Sequence, residues 1–296
     1  MRSLSRKVKN NNIKIEKASG IGFCFGVRSA ITALEKVARE EGGIETLGAV
    51  VHNQQVLQRL AELGVSVVDA IDEVKGNTIA IGAHGVGPEV AQEIKNRNLK
   101  IVDTTCRFVH RAQSVAQRLS KSGFFIVVYG DVNHPEVKGI LAWAGGNGIA
   151  TLSAAKIAEL QPVPKLLGVV SQTTQIPANF NEFIKNVVDI TLRRDSELYV
   201  VDTICHDIRR RQESAQKLAN KVDLMLVVGD RTSANTNRLV DLCSRLTRTY
   251  FIETADDIQS KWLKGRRHIG ITGGASTNEE TINEVQAKLE KLTKSD

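Results

Sequence analysis

Five short apolar runs recur along the chain: "NTIAIGA" (77–83), "FFIVVYG" (124–130), "LLGVVSQ" (166–172), "LMLVVGD" (224–230) and "RHIGITGG" (267–274). Each is rich in β-branched or aliphatic residues. Each closes on small or polar residues and is followed by a longer segment with helical periodicity. Continuous rather than alternating apolar runs predict strands buried on both faces, and strands that alternate with helices predict parallel α/β sheets. In such sheets ligands gather beyond the carboxyl ends of the strands. The loops at those ends span 82–90, 130–137, 171–177, 229–239 and 272–280, and they are crowded with Ser, Thr, Asn, His and Gly. One such loop is ordinary turn chemistry. Five at the same point of five βα units point to a polar ligand pocket.

A second pattern overlies the first. "IVDTTCRFVHRAQSVAQRL" (101–119) and "YVVDTICHDIRRRQESAQKL" (199–218) nearly repeat, each running from an apolar lead-in through Asp-Thr-x-Cys into an amphipathic segment. Val109, Ala112, Ala116 and Leu119 share one helical face, and Ile208, Ala215 and Leu218, with Val222 beyond, share another. "GIGFCFGVRSAITAL" sets Cys24 in a similar frame. The expectation is that each cysteine lies where a strand ends and a helix begins, so that the helix N-terminus favours its thiolate. Cys24, Cys106 and Cys205 lie 82 and 99 residues apart, which suggests three similar α/β units bringing three thiols to one centre. Structural zinc sites draw their ligands from close pairs, and no C-x-x-C is present. An iron–sulfur cluster suits the three thiols better. A four-iron cluster held by three cysteines leaves one iron open to a substrate oxygen. Cys243, inside "NRLVDLCSRL", is expected to be a buried structural thiol.

Composition narrows the classes. The chain has 296 residues, of which 42% are hydrophobic and 25% charged, as in ordinary globular proteins. No apolar run reaches the roughly 18 residues of a membrane span. The stretch "MRSLSRKVKNNN" (1–12) reads as a disordered basic tail without the apolar core of a secretory signal. Four basic residues of the tail account for much of the net charge of +7 and leave about +3 for the body, and aromatics are only 4%. That argues against nucleic acid and against a membrane, and suits an anionic small molecule or an acidic protein partner. Rare cysteines with no secretory signal point to a reducing cytoplasm.

The motifs "GFCFGVRSAI", "VHN", "GAHGV", "DTTC", "NHPEV", "SQTT", "DTIC", the "NRL" of "TSANTNRL", and "GGAST" occur in an order and spacing that resembles the 4-hydroxy-3-methylbut-2-enyl diphosphate reductase family over nearly the whole chain. The resemblance implies a trefoil of three α/β domains around a central [4Fe-4S] cluster. It implies reductive loss of the substrate's 4-hydroxyl, giving isopentenyl and dimethylallyl diphosphates, with ferredoxin or flavodoxin as electron donor. By motif it implies Cys24, Cys106 and Cys205 as cluster ligands. It likewise implies His52, His84, His134, Ser233, Asn235 and Ser276 around the diphosphate, Glu136 as the proton source, and Thr173 placing the hydroxyl and a water. The domains expected are 13–105, 106–204 and 205–296, the strand within 13–25 pairing with the third. The chain departs from the family pattern in places. Arg107 follows Cys106 where a proline is usual, Ile208 and Ala234 replace hydroxyl residues, and "HPEVKGI" lacks the usual threonine after its glycine.

The residues agree with this chemistry. The sequence has no G-x-x-x-x-G-K-[ST] loop, so donors to a diphosphate must come from His, Ser and Asn at strand ends. Hydroxide is a poor leaving group and needs an acid beside it. Other readings are a dinucleotide-dependent oxidoreductase, an iron–sulfur sensor, and a family member acting on another allylic diphosphate or alcohol. The first meets an obstacle in "GIGFCFG", whose glycines at 20, 22 and 26 are spaced one residue too far for G-x-G-x-x-G.

Overall fold

The computed structural model describes residues 13–51, 53–191 and 195–294. In chain order the elements begin β1 (Lys14–Lys17), α1 (Phe25–Glu41), β2 (Ile44–Leu47), α2 (Gln54–Glu62), β3 (Val65–Val68), β4 (Thr78–Ile81), α3 (Pro88–Asn96) and β5 (Lys100–Asp103). They continue with α4 (Arg107–Lys121), β6 (Phe125–Tyr129), α5 (Pro135–Trp143), β7 (Gly148–Thr151), α6 (Ala155–Ala158), β8 (Leu166–Ser171), α7 (Pro177–Thr191) and β9 (Glu197–Val201). The last are α8 (His206–Ala219), β10 (Leu224–Val228), α9 (Ala234–Ser244), β11 (Thr249–Ile252), β12 (His268–Gly273) and α10 (Glu279–Lys294).

The strands form three four-stranded sheets, ordered β3-β2-β4-β5, β7-β6-β8-β9 and β1-β12-β10-β11, and every pairing is parallel. The chain's first strand closes the last sheet, with Lys14 opposite His268. All five apolar runs are strands, and β10 is buried at every residue. Each valine, leucine or isoleucine so buried stabilises by about 1.5–3 kcal/mol over its exposed state. Helices cover both faces, packing Ala112, Ala116 and Leu119 of α4 against Ile126 and Val128, and Ala215 and Leu218 of α8 against Met225 and Val227. Cys243 sits in that last cluster, fully buried, and burial pushes its thiol up to about 12. Among the described residues no helix is long and apolar enough to cross a membrane.

The repeated Asp-Thr has a structural reason. Asp103 accepts the Thr105 N–H at 2.9 Å and Asp202 accepts the Ile204 N–H at 3.0 Å, turning the chain from strand to helix. Thr104 donates its hydroxyl to the Ile81 carbonyl at 2.6 Å, and Thr203 bonds to Ser171, so each junction is pinned to the neighbouring strand. Cys24 differs from the expectation: β1 ends at Lys17 and the thiol follows a six-residue loop. Gly20 and Gly22, at φ +76° and +83°, make that loop's turns.

Candidate active site

Three helices open on the three cysteines. Cys24, Cys106 and Cys205 are the N-cap residues of α1, α4 and α8. Each cysteine N–H is in turn held by a loop at the end of its neighbouring strand: Cys24 by the Ala275 carbonyl at 2.9 Å, Cys106 by Ala83 at 3.0 Å, and Cys205 by Thr173 at 2.9 Å. Those same loops carry Ser276, His84 and Thr173. One set of backbone bonds therefore ties the thiols to the polar loops, and all of them line a single cavity of about 110 Å³.

The thiols are free, Cys205 buried and the other two half-buried. The Val27 N–H points at the Cys24 sulfur at 3.4 Å. Gly26 makes room beside Cys106, because a Cβ there would lie 2.7 Å from its sulfur. The helix N-termini act as expected in direction but not in outcome. Burial pushes all three thiols up, Cys205 to about 11, while the first N–H groups of each helix pull down; Cys24 further raises Cys106, and both raise Cys205. A ligand that needs thiolates must supply positive charge of its own to reverse that balance. Among the described residues no three His, Cys, Asp or Glu side chains converge closely enough for a single metal ion. Three thiols spread around a cavity and backed by helix N–H groups suit a thiolate-held cluster with several metals, so the residues fit the group.

All five loops reach the cavity. His84 and His134 stand edge to face with ring centres 5.2 Å apart. His134 caps α5, and its Nδ1 accepts the Glu136 N–H at 3.1 Å, which places the ring proton of the neutral form on Nε2. Pro135, with no N–H to lose, occupies the first helical position between them. Glu136 is 1% exposed. Its Oε1 accepts the Thr173 N–H at 2.6 Å and its Oε2 the Thr173 hydroxyl at 3.0 Å. Burial raises its pKa above the usual carboxylate range, against the pull of those two bonds and of Arg238.

On the opposite wall Ser233 caps α9 and accepts the Thr236 N–H at 3.3 Å. Asn235, 4% exposed, has neither amide atom bonded to a described residue. A buried amide left so beside a cavity is a donor–acceptor pair waiting for a ligand.

A family model described as LytB protein matches residues 15–290. The chain belongs to the LytB family. Two relatives, each a 4-hydroxy-3-methylbut-2-enyl diphosphate reductase, come from Dehalococcoides mccartyi and Geobacter sulfurreducens. The first is 58% identical over 281 residues, 95% of this chain and 99% of its own. The second is 41% identical over 281 residues, 95% of this chain and 98% of its own. A solved structure of (E)-4-hydroxy-3-methyl-but-2-enyl diphosphate reductase, the terminal enzyme of the non-mevalonate pathway, matches with TM-score 0.69 at 35% identity, covering 94% of this chain and 99% of that one. The E-1-hydroxy-2-methyl-but-2-enyl-4-diphosphate reductase of Plasmodium falciparum matches with TM-score 0.87 at 26% identity, covering 93% and 87%.

Of the residues named from the sequence of this LytB chain, ten line the one cavity: Cys24, Cys106 and Cys205 with His84, His134, Glu136 and Thr173, and Ser233, Asn235 and Ser276. His52 lies outside the described residues. Ile208, Val109 and Ala234 form apolar wall between them. Sequence reasoning missed Thr174, which lines the cavity and whose buried hydroxyl has no partner among the described residues, although it is the last letter of "SQTT". It also missed Arg238 as a brace: the guanidinium bonds Gln172 at 3.0 Å and Gln175 at 3.1 Å, on the loop that carries Thr173.

Proposed function

We propose that the cavity is the active site of a reductase that removes the 4-hydroxyl of (E)-4-hydroxy-3-methylbut-2-enyl diphosphate, giving isopentenyl and dimethylallyl diphosphates. The observation that carries this reading is that three thiols and the polar ends of five βα loops share one cavity. Cys24, Cys106 and Cys205 would hold a [4Fe-4S] cluster, one per chain. When bound, that cluster supplies single electrons and a Lewis-acidic iron without a protein ligand.

The other residues act on the substrate directly. His84, His134, Ser233, Asn235 and Ser276, with His52 from the same motif set, donate to the diphosphate, and the α9 N-terminus adds its dipole. Hydroxide leaves as water only if a proton arrives. Glu136 holds that proton, since burial favours its neutral form. The Thr173 hydroxyl donates to Oε2 here; when neutral Glu136 gives up its proton that bond reverses, and the hydroxyl orients the substrate oxygen and relays the proton. Arg238 keeps the Thr173 loop in place through Gln172 and Gln175. The apolar wall excludes water from the allyl group. Three domains, 13–105, 106–204 and 205–296, each bring one thiol, and the chain works in the cytoplasm with ferredoxin or flavodoxin as donor.

The test is anaerobic reconstitution with iron and sulfide counted per chain. Cys24→Ser, Cys106→Ser and Cys205→Ser should each lose most of the cluster, whereas Cys243→Ser should keep it and lose only stability. Iron loss in Cys243→Ser as deep as in Cys106→Ser overturns the ligand set. A fully loaded wild type that yields neither diphosphate product from the substrate overturns the reaction.

A further inference from the structure

The first residue of each thiol-capped helix stands on the surface. Phe25, Arg107 and His206 directly follow Cys24, Cys106 and Cys205, and all three are exposed, Phe25 to 59%. They meet one another. The Arg107 guanidinium lies 4.8 Å from the Phe25 ring centre and 4.9 Å from that of Phe108. The Phe108 ring stands edge-on to His206 at 6.3 Å. An aromatic–cation cluster therefore joins the openings of α1, α4 and α8 beside the thiols, and Phe108 packs against the group formed by Cys205, Ile208 and Ala275.

Two local rules are broken here. A cation in the first turn faces the positive end of the helix dipole, at a cost of about 0.3–1 kcal/mol. Arg107 occupies that position in α4, and neither α1 nor α4 has an acid in its first turn to offset it. Exposed phenylalanine is the second breach. Residues that break local rules on a surface mark function more often than folding.

The charge of the face is open. Arg28 donates to the Phe23 carbonyl at 3.2 Å and Arg111 to the Asp202 carbonyl at 3.1 Å, while Arg107 has rings for partners. None of the three is ion-paired with a described residue. Asp202 pairs with Arg209 and Asp207 with Arg210 and Arg211, whereas Asp103 only contacts the His110 ring and Glu279 and Glu280 lie at the Gly22–Phe23 edge of the face. The result is an aromatic centre within a rim of unneutralised guanidiniums, the composition of a small transient interface with an acidic partner.

We propose that this face, centred on Phe25 and Arg107, is where an acidic one-electron carrier protein docks to feed the thiol-held cluster. The proposal rests on the reductase reading above. Each turnover takes up two electrons and two protons, breaks the substrate's C–O bond and releases one water with the diphosphate product. The carrier is oxidised twice, by one electron each time. It must arrive and leave twice per turnover, which calls for fast, salt-sensitive association rather than tight binding.

The test uses the reconstituted holoenzyme with two reductants: a purified acidic ferredoxin, and reduced methyl viologen, which needs no docking face. Arg107→Glu and the pair Arg28→Glu with Arg111→Glu are compared with wild type, and Arg107→Gln serves as the milder variant if charge reversal disturbs folding. Carrier Kd by calorimetry should weaken about tenfold or more and lose its steep salt dependence, with the carrier-driven rate falling in step. Iron content and viologen-driven turnover should stay within about twofold. Equal losses with both reductants would mean that Arg107 serves the cluster or the fold. Unchanged carrier affinity would place docking elsewhere. A wild-type dimer in sedimentation that the same variants dissociate, with carrier affinity intact, would assign the face to a second copy of this chain. If viologen drives no turnover in wild type, the reductase reading fails, while the Kd arm still decides the docking face.

Discussion

Asn235→Leu should make the substrate-free protein more stable and the substrate-bound protein weaker. Asn235 is 4% exposed, and both its amide nitrogen and its amide oxygen lack partners among the described residues. A buried polar atom left unpaired costs about 1–3 kcal/mol. Two such atoms set an upper bound of roughly 2–6 kcal/mol, from which cavity water relieves the larger part. A net gain of about 1–2 kcal/mol for a leucine of nearly the same shape is the reasonable figure. For a chain of this length that raises Tm by about 2–4 °C. The substrate side has the opposite sign. One hydrogen bond to a charged group contributes about 1.5–3 kcal/mol, so losing it should weaken diphosphate binding by about 10- to 150-fold. Scanning fluorimetry on the substrate-free chain and titration calorimetry on the loaded enzyme read the two effects separately. A lower Tm with unchanged substrate affinity would mean that the amide is satisfied within the fold, and the reasoning from its missing partners would be refuted. A stability gain alone would show a strained side chain with no ligand to meet.

The remaining predictions follow from the same cavity. Glu136→Gln keeps the shape and the bond from the Thr173 N–H, with the Thr173 hydroxyl turning to accept from the new amide nitrogen, but it has no transferable proton, so single-turnover reduction should slow by at least about a hundredfold with iron content and substrate affinity near normal. Unchanged turnover removes Glu136 from the mechanism. Because burial raises its pKa, the acid form is present below that raised value and is lost as pH rises through it; wild-type turnover should fall on the alkaline side, and the Gln variant should lack that limb. Gly26→Ala places a methyl 2.7 Å from the Cys106 sulfur, so iron per chain should drop although no ligand is replaced. Full iron content there would show that α1 shifts freely against α4.

The sequence was most legible where burial is continuous. Central strands such as β6, β8 and β10 are covered on both faces and read as unbroken apolar runs. The strands that went unread are four residues long, as in "GIAT" of β7 and "TYFI" of β11, both at sheet edges. β2 is internal yet reads "IETL", because the Glu45 carboxylate accepts from the N–H groups of Lys75 and Gly76 and is held there by a loop rather than by a core. No periodicity reports such a bond. Arg238 was hidden for the same reason: its partners Gln172 and Gln175 lie 66 and 63 residues away.

The site was legible because its chemistry imposes one local solution three times. On the function proposed above, a thiol that holds a shared ligand would need a helix N-terminus behind it and a fixed backbone beneath it. In the second and third units Asp turns the chain, Thr pins it to the next strand, and the cysteine N–H is caught by the loop that also carries a cavity residue. Those demands fall on consecutive residues, so they surface as Asp-Thr-x-Cys. The first unit satisfies them differently. Its cysteine is reached from β1, which belongs to another sheet, through a glycine turn, and only the last bond, to Ala275, is shared. The motif is therefore a record of how the strand arrives, whereas the N-cap and the captured N–H are what all three thiols need. Arg107 and Phe25 are bound by neither demand: each stands one residue past its thiol, exposed, and under the docking proposal it is the incoming carrier that selects the side chain.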